Sequence, residues 1–193
     1  MARMYSNRKK YGCSAGIRKE TIRVKLYHFS ENPDIRRFEP RKLDYRPDEP
    51  AMVWTIDAFH ASHYFFPRDC PRVCLWPKAD TTESDLERFF GLSRAKHICA
   101  IETDWYERVR SGHSYRYTFD SAYFELYEPN AGYYTATKTV EPIAVEKIAD
   151  LPGSLVALGI ELRITPSLLP LRDAILASTV NFSMIRMKNA SQT

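Results

Sequence analysis

The sequence predicts an α+β fold: a single domain with a mostly antiparallel split sheet and a few short helices. Three observations carry that expectation. The 193 residues are 44% hydrophobic and 13% aromatic, enough for one substantial core. Between residues 97 and 148, short segments rich in aromatic and β-branched residues follow one another, separated by turn signals. Strict βαβ alternation, G-x-G-x-x-G and a Walker-type phosphate loop are all missing from the sequence, which leaves a Rossmann fold or P-loop nucleotide site without support.

Taken in order, residues 1–20 read as a basic N-terminal arm and residues 21–190 as the domain. Residues 1–23 hold seven Lys and Arg against Glu20 alone, a net of +6, so the remaining residues carry −2 of the overall +4. Low hydrophobicity with scattered Gly and Ser fits a flexible arm that reaches phosphate or an acidic surface; a plain solvated terminus is the alternative. "TIRVKLYHF" (21–29) is a strand and "ENPDIRRFEPR" a turn marked by Asn-Pro. "AMVWTID" (51–57) is a short buried strand, and "AFHASHYFF" (58–66) a brief helix ended by Pro67. "TTESDLERFFGL" opens with Thr82 and Asp85 at capping spacing and stops near Gly91, a short helix expected to bury Leu86, Phe89 and Phe90. Strands are expected at 97–103, 114–119, 122–127, 132–138 and 141–148. "LPGSLVALGIELRIT" reads as a helix running into a strand, and "SLLPLRDAILASTVNFSMIRM" closes the pattern.

The sequence contains no apolar run of signal-peptide or bilayer-spanning length, so a soluble, cytoplasmic protein without a membrane partner is expected. Cys13, Cys70, Cys74 and Cys99 are too sparse and irregular for a disulfide scaffold. Cys70 and Cys74 stand as C-x3-C, with His60 and His63 upstream, which raises a zinc site. The spacing is looser than that of paired turn ligands, and Pro67 and Pro71 intervene, so free, part-buried thiols are the favoured reading and no metal is expected.

The residues that carry chemistry cluster early. In "KLYHFS", alternation puts His28 on the face of Leu26 and Ser30, opposite Tyr27 and Phe29. An imidazole beside a hydroxyl suits a ribose or amide edge; a satisfied core histidine is the alternative. "FPRDCPR" contributes Arg68 and Arg72, and the preceding turn Arg36, Arg37 and Arg41, fork-shaped cations that match phosphate. The alternative is that Arg68 and Asp69 pair with one another, or with the acidic turn residues, as a structural latch. Glu125 in "YFELY" and Asp57 after the second strand are the candidate acid/base carboxylates, Glu125 having an exposed edge-strand reading as its alternative. Aromatic residues from 115 to 134 suit base stacking or, equally, a core.

At these positions the chain resembles the ADP-ribosyltransferase-like superfamily, which includes poly(ADP-ribose) polymerases and tRNA 2′-phosphotransferases. "LYHFS" is similar to the strand that opens their NAD cleft, with Phe29 in place of the common glycine. "VWTID" and "ASHY" are similar to the next strand and helix, which makes Tyr64 the tyrosine that stacks on nicotinamide. "GYYTATKTVEPIAVEKI" is similar to the strand pair that carries their catalytic glutamate, but here Tyr133 or Tyr134 falls in the glutamate's place, and Tyr134 is the residue assigned to it. The resemblance implies an ADP-ribosyltransferase-like fold with NAD as cofactor and His28 and Ser30 on the ribose; it does not account for "FPRDCPR", and Arg41, Arg68 and Arg72 are placed on phosphate by their guanidinium chemistry alone. His28, Tyr64, Tyr134 and Glu125 form the expected catalytic set. The missing glutamate argues against polymer formation. Over roughly residues 24–190 the chain also resembles an uncharacterised bacterial domain family that shares "LYHFSE", a "VWAID"-like strand and "FPRDCPRV".

The expected function is therefore binding of NAD or another phosphate-bearing nucleotide. If the domain is an enzyme, the reaction is single-group ADP-ribosyl or glycosyl transfer, or N-glycosidic cleavage. The alternative is a non-catalytic module for nucleotide or RNA phosphate, in which the basic arm adds salt-sensitive affinity for nucleic acid. A different small-molecule enzyme on the same fold is a third possibility.

Overall fold

A computed structural model describes residues 24–44 and 46–192; the basic arm and Cys13 lie outside the described residues. In chain order the elements are β1 (Lys25–Ser30), β2 (Val53–Ile56), a 3₁₀ turn (His60–Tyr64), β3 (Arg72–Trp76), α1 (Glu83–Phe90), β4 (Ile98–Glu102), α2 (Tyr106–Ser111), β5 (Ser114–Asp120), β6 (Glu125–Glu128), β7 (Tyr133–Ala136), β8 (Ala144–Ile148), α3 (Leu151–Ala157), β9 (Glu161–Thr165), α4 (Leu169–Leu176) and β10 (Asn181–Ile185). They form two sheets. One is six-stranded and antiparallel, in the order β6-β7-β2-β1-β5-β8; the other is four-stranded, β10-β3-β4-β9, and parallel only between β4 and β9. The α+β class with mostly antiparallel sheets and short helices is as expected.

Several local features follow from single residues. Thr82 caps α1 by accepting from the Asp85 backbone N–H at 3.3 Å, and Asp150 caps α3 by accepting from Gly153 at 2.9 Å. Phe89 and Phe90 are buried as expected, but Leu86 is exposed, because α1 docks only through its last turn. Residues 58–66 shrink to one 3₁₀ turn. The first half of "AYFELY" precedes its strand, and β6 begins only at Glu125.

The four-stranded sheet is covered on both faces. Val73 and Leu75 of β3, with Ile98 and Ala100 of β4, pack under α1 and α4 beside Phe89, Leu168 and Ile175. The alternate residues Cys74, Cys99 and Ile101 pack on the other face with Phe65, Leu151 and Leu155. Cys70, Cys74 and Cys99 are free, as expected, but fully rather than partly buried. The six-stranded sheet carries its own cluster on one face, Leu26, Val53, Tyr117, Phe119 and Ala136 under Phe38 and Val140. Its β1 pairs with β5 through six residue pairs but with β2 only at Tyr27↔Ile56.

Candidate functional site

Because β1 and β2 close at a single pair, the sheet opens beside His28. The imidazole takes the place of a ladder bond, its Nδ1 lying 2.9 Å from the Trp54 carbonyl oxygen. A carbonyl only accepts, so Nδ1 carries the proton and Nε2 is left as a bare acceptor while the ring is neutral. Burial holds the His28 pKa below 6.5; the Trp54 bond opposes this, and Arg68 and Arg41 reinforce it. One edge of the ring rests against Phe38 at 4.9 Å.

Two connected spaces meet here. A niche of about 110 Å³ is lined by Tyr27, Phe29, Trp54, Ile56, Tyr64 and Tyr133, with His28 and Thr55 at its polar side. It opens into a cleft of about 620 Å³ between the two sheets, which shares His28, Phe29, Tyr64 and Tyr133 with the niche. The rings of Phe29 and Tyr64 stack at 5.8 Å and 11°. Tyr64 and Tyr133 join hydroxyl to hydroxyl at 2.7 Å. Burial and the neighbouring Tyr133 keep the Tyr64 phenol protonated, well above the usual tyrosine range.

Arg72 forms the deepest charged part of the cleft wall. It is only 2% exposed. Its Nε donates to the His63 carbonyl at 2.6 Å and its Nη1 to the Cys70 carbonyl at 2.9 Å, and its guanidinium lies over the rings of Tyr64 and Phe66. Burial lowers its pKa, yet a guanidinium stays charged in a protein. Among the described residues no carboxylate forms an ion pair with it. Lys42, Arg68 and Arg186 line the same cleft, against Glu31 and Asp44, so the lining carries a net of 4 − 2 = +2.

The expected site residues separate into two groups. His28, Ser30, Tyr64, Arg68 and Arg72 all line the cleft. Arg41 does not; it holds a backbone bridge to Met52, near enough for its charge to reach His28. Tyr134 points the other way, onto the cluster around Leu26 and Tyr117, and the cleft-facing tyrosine is Tyr133. Neighbouring strand residues alternate faces, so only one of the two could reach the cleft. Glu125 sits on the exposed edge strand β6, opposite Thr135, outside the cleft lining. Arg37 pairs at the surface with Glu39 at 3.2 Å. Arg68 does not pair with Asp69; its backbone N–H donates to Glu31 at 3.1 Å, while Asp69 lies 3.8 Å from Arg186.

Asp57 belongs to a second, buried group. Its carboxylate accepts from the His60 side chain and backbone, both at 2.8 Å; burial alone raises its pKa, but these bonds outweigh it and leave the pKa lowered. His63 is bonded to His97 rather than to any cysteine, and among the described residues no group of three or more His, Cys, Asp or Glu side chains is arranged to hold a metal. Burial pushes the Cys70 thiol up to about 12, which makes it an unreactive core group.

Residues 27–190 match DUF6886, a family of unknown function. The chain belongs to that family. The matched span includes every wall of the cleft, from His28 to Arg186, and leaves the basic N-terminal residues outside it. No curated protein and no solved structure matches the chain. Among the described residues no helix is long and apolar enough to cross a membrane.

Proposed function

We propose that the cleft binds NAD or another anionic nucleotide. The observation that carries this reading is Arg72, a buried cation without an anionic partner among the described residues, at the wall of a cleft whose lining is itself positive. Removing a charge from water is costly unless an opposite charge meets it, so a site of this kind favours a ligand that brings the anion. The aromatic niche beside it has the size and lining for a planar ring, and the bare Nε2 of His28 suits a donor such as a ribose hydroxyl. A dinucleotide such as NAD offers all three parts: a ring, a ribose and a pyrophosphate. The likeness of "LYHFS" and "ASHY" to the ADP-ribosyltransferase-like superfamily supports the same assignment.

If the domain turns its ligand over, we propose single-group ADP-ribosyl or glycosyl transfer, or N-glycosidic cleavage. NAD would supply a glycosidic bond to a good leaving group. The chain would hold the ring in the niche beside Phe29, Tyr64 and Tyr133, anchor the ribose at His28 and Ser30, and screen the phosphates with Arg72, Arg68 and Arg186. Tyr133 would stand where the superfamily has its glutamate. A phenol carries no charge at neutral pH, so placement would supply most of the acceleration.

Calorimetric titration of NAD, ADP-ribose and RNA 2′-phosphate tests the reading, with the same mixtures analysed for released nicotinamide. Arg72→Met should weaken saturable binding at least about 30-fold, as expected for truncating one side of a buried charge pair. Nicotinamide release that depends on His28 would establish the transferase or hydrolase branch. Binding that falls steeply with salt and requires residues 1–23 would instead establish the phosphate-binding module. No binding of any of the three would end the nucleotide reading.

A further inference from the structure

Behind the cleft wall lies a group of rings that the ligand reading leaves unused. His63 and His97 meet through their Nε2 atoms at 2.8 Å, and they are 1% and 6% exposed. Only one proton fits between two ring nitrogens at that distance, so one imidazole donates and the other accepts. Trp76 borders both rings, at 5.2 and 5.5 Å, and Phe59 stacks on His97 at 5.0 Å and 14°. His60 lies at right angles to His63 at 5.4 Å, and its Nε2 is buried without a partner.

The charged and titratable groups facing this pair are few. From the 3₁₀ turn they are His60 and, behind it, Asp57, whose carboxylate is taken by the His60 Nδ1 at 2.8 Å. From β3 there is Arg72, whose positive charge acts on His63. His97 itself, just ahead of β4, feels His60. One added proton can settle on the Nδ1 of the donor ring and leave the N–H···N bond in place, but protonation of both rings turns two N–H groups on each other beside the Arg72 guanidinium, and the Asp57 carboxylate is held by His60 and touches neither ring of the pair. Burial first, and then the neighbouring cations, lowers the His63 pKa well below 6.5; burial with His60 brings His97 down to about 4.

The pair is also mechanically joined to the cleft. His63 belongs to the single 3₁₀ turn that ends at Tyr64, and its carbonyl is the acceptor that fixes Arg72 Nε at 2.6 Å. Separating the two rings therefore moves the residue that holds the buried guanidinium and the tyrosine under it.

We propose that the His63–His97 pair is a proton-operated latch: while one proton lies between its Nε2 atoms it holds Tyr64 and Arg72 in their ligand-ready positions, and protonation of both rings breaks that bond, releases them and weakens anion binding. The inference rests on the reading of the cleft as an anion site, and its sign distinguishes it from simple electrostatics. Acidification also protonates His28 next to Arg68 and Arg41, and that added positive charge alone strengthens anion binding. The latch predicts the reverse.

The test follows full-length protein from about pH 7.5 to about pH 3.5, past the His97 value of about 4, a window in which the pyrophosphate of ADP-ribose keeps its charge. Three quantities are read: calorimetric affinity for ADP-ribose, side-chain ¹⁵N resonances of the histidines, and amide hydrogen exchange across residues 60–66. In the wild type, affinity should drop several-fold as the resonances of His63 and His97 move, with exchange in the turn rising at the same pH. His97→Gln, which keeps a polar partner for His63 but cannot take the second proton, should flatten the drop. Affinity that stays level or tightens on acidification overturns the proposal, as does an undiminished drop in His97→Gln, which would place the cause outside the pair. If ADP-ribose binds at neither pH, the anion reading fails alone. The latch is then decided by the wild-type resonances and exchange: protonation of the pair without faster exchange at 60–66 overturns it, and protonation with faster exchange upholds the mechanical link.

Discussion

Glu102, at the end of β4, and Arg72, at the start of the neighbouring β3, are both charged and both buried, at 3% and 2% exposure, yet their surroundings differ. The Glu102 carboxylate is saturated by backbone donors: Oε1 accepts from Leu168 at 3.1 Å, and both oxygens accept from Ser191, at 3.1 and 3.0 Å. It ties the start of α4 and the end of the described chain to the four-stranded sheet. Arg72 has backbone carbonyls for two of its donors and a cleft in front of the guanidinium. A buried charge satisfied by fixed backbone dipoles serves the fold; a buried charge that faces a cavity of its own sign is free to serve a ligand.

The largest effect that can break this contrast is at Glu102. Glu102→Ala removes the acceptor from the buried Leu168 N–H and the part-buried Ser191 N–H and should cost about 3 kcal/mol in urea unfolding. Glu102→Gln, which keeps one carbonyl acceptor, should lose clearly less. An unchanged midpoint for the alanine variant would mean that this carboxylate is no more structural than Arg72.

Acid should sharpen the contrast next, because the region behind the cleft holds histidines kept neutral. The folded pKa values of His28, His63 and His97 all lie below 6.5, so below that pH the unfolded chain binds more protons than the folded one. Their contribution to stability is complete above about pH 6.5 and is lost as pH falls towards the folded values, with a slope of about 1.4 kcal/mol per pH unit for each fully titrating group. The melting temperature should therefore fall from pH 6.5 downward, and fall less in His97→Gln. A melting temperature level between pH 6.5 and 5 would remove the buried histidines from the account.

Arg72→Met comes third on stability, although it should dominate binding. A buried cation without an anionic partner contributes little to folding, and methionine fills similar volume, so the cost should be about 1 kcal/mol, from two carbonyls left without their donor. A loss as large as that of Glu102→Ala would make Arg72 a structural residue and sink the contrast.

How far the sequence revealed this depends on what each region buries. Elements with one wet face were legible: β1, β2, β5 and β7 alternate or sit between turn residues, and the Thr82 and Asp85 spacing marked α1. β3 was missed although the equally buried β4 was read, because "RVCLW" runs between Pro71 and Pro77 and so passes for part of a turn. That omission hid the depth of Arg72, although its residue type had been noted. Glu102 gave no signal, since a carboxylate that caps distant backbone looks like any strand-ending glutamate. The cleft residues Lys42 and Arg186 are brought together by tertiary packing over more than a hundred residues of chain, and no local spacing marks them.

The smallest effect bears on the last ambiguity of the strand β7, whose adjacent tyrosines serve opposite faces. Tyr133→Phe removes the hydroxyl that Tyr64 meets at 2.7 Å, leaving a buried phenol short of a partner, and should cost about 1 kcal/mol of stability. It should also loosen the niche wall, weakening a ring-bearing ligand several-fold while leaving a bare pyrophosphate probe unchanged. Tyr134→Phe alters a side chain packed on the Leu26 and Tyr117 cluster and should leave the affinity for both probes as it was. If Tyr134→Phe weakened the ring-bearing ligand and Tyr133→Phe did not, the face assignment of β7 would be reversed. Tyr134 would then stand in the glutamate's place, and the niche between Phe29, Tyr64 and Tyr133 would be core rather than site. If neither variant distinguished the two probes, the ring would not enter the niche, and only the anion half of the cleft would remain in use.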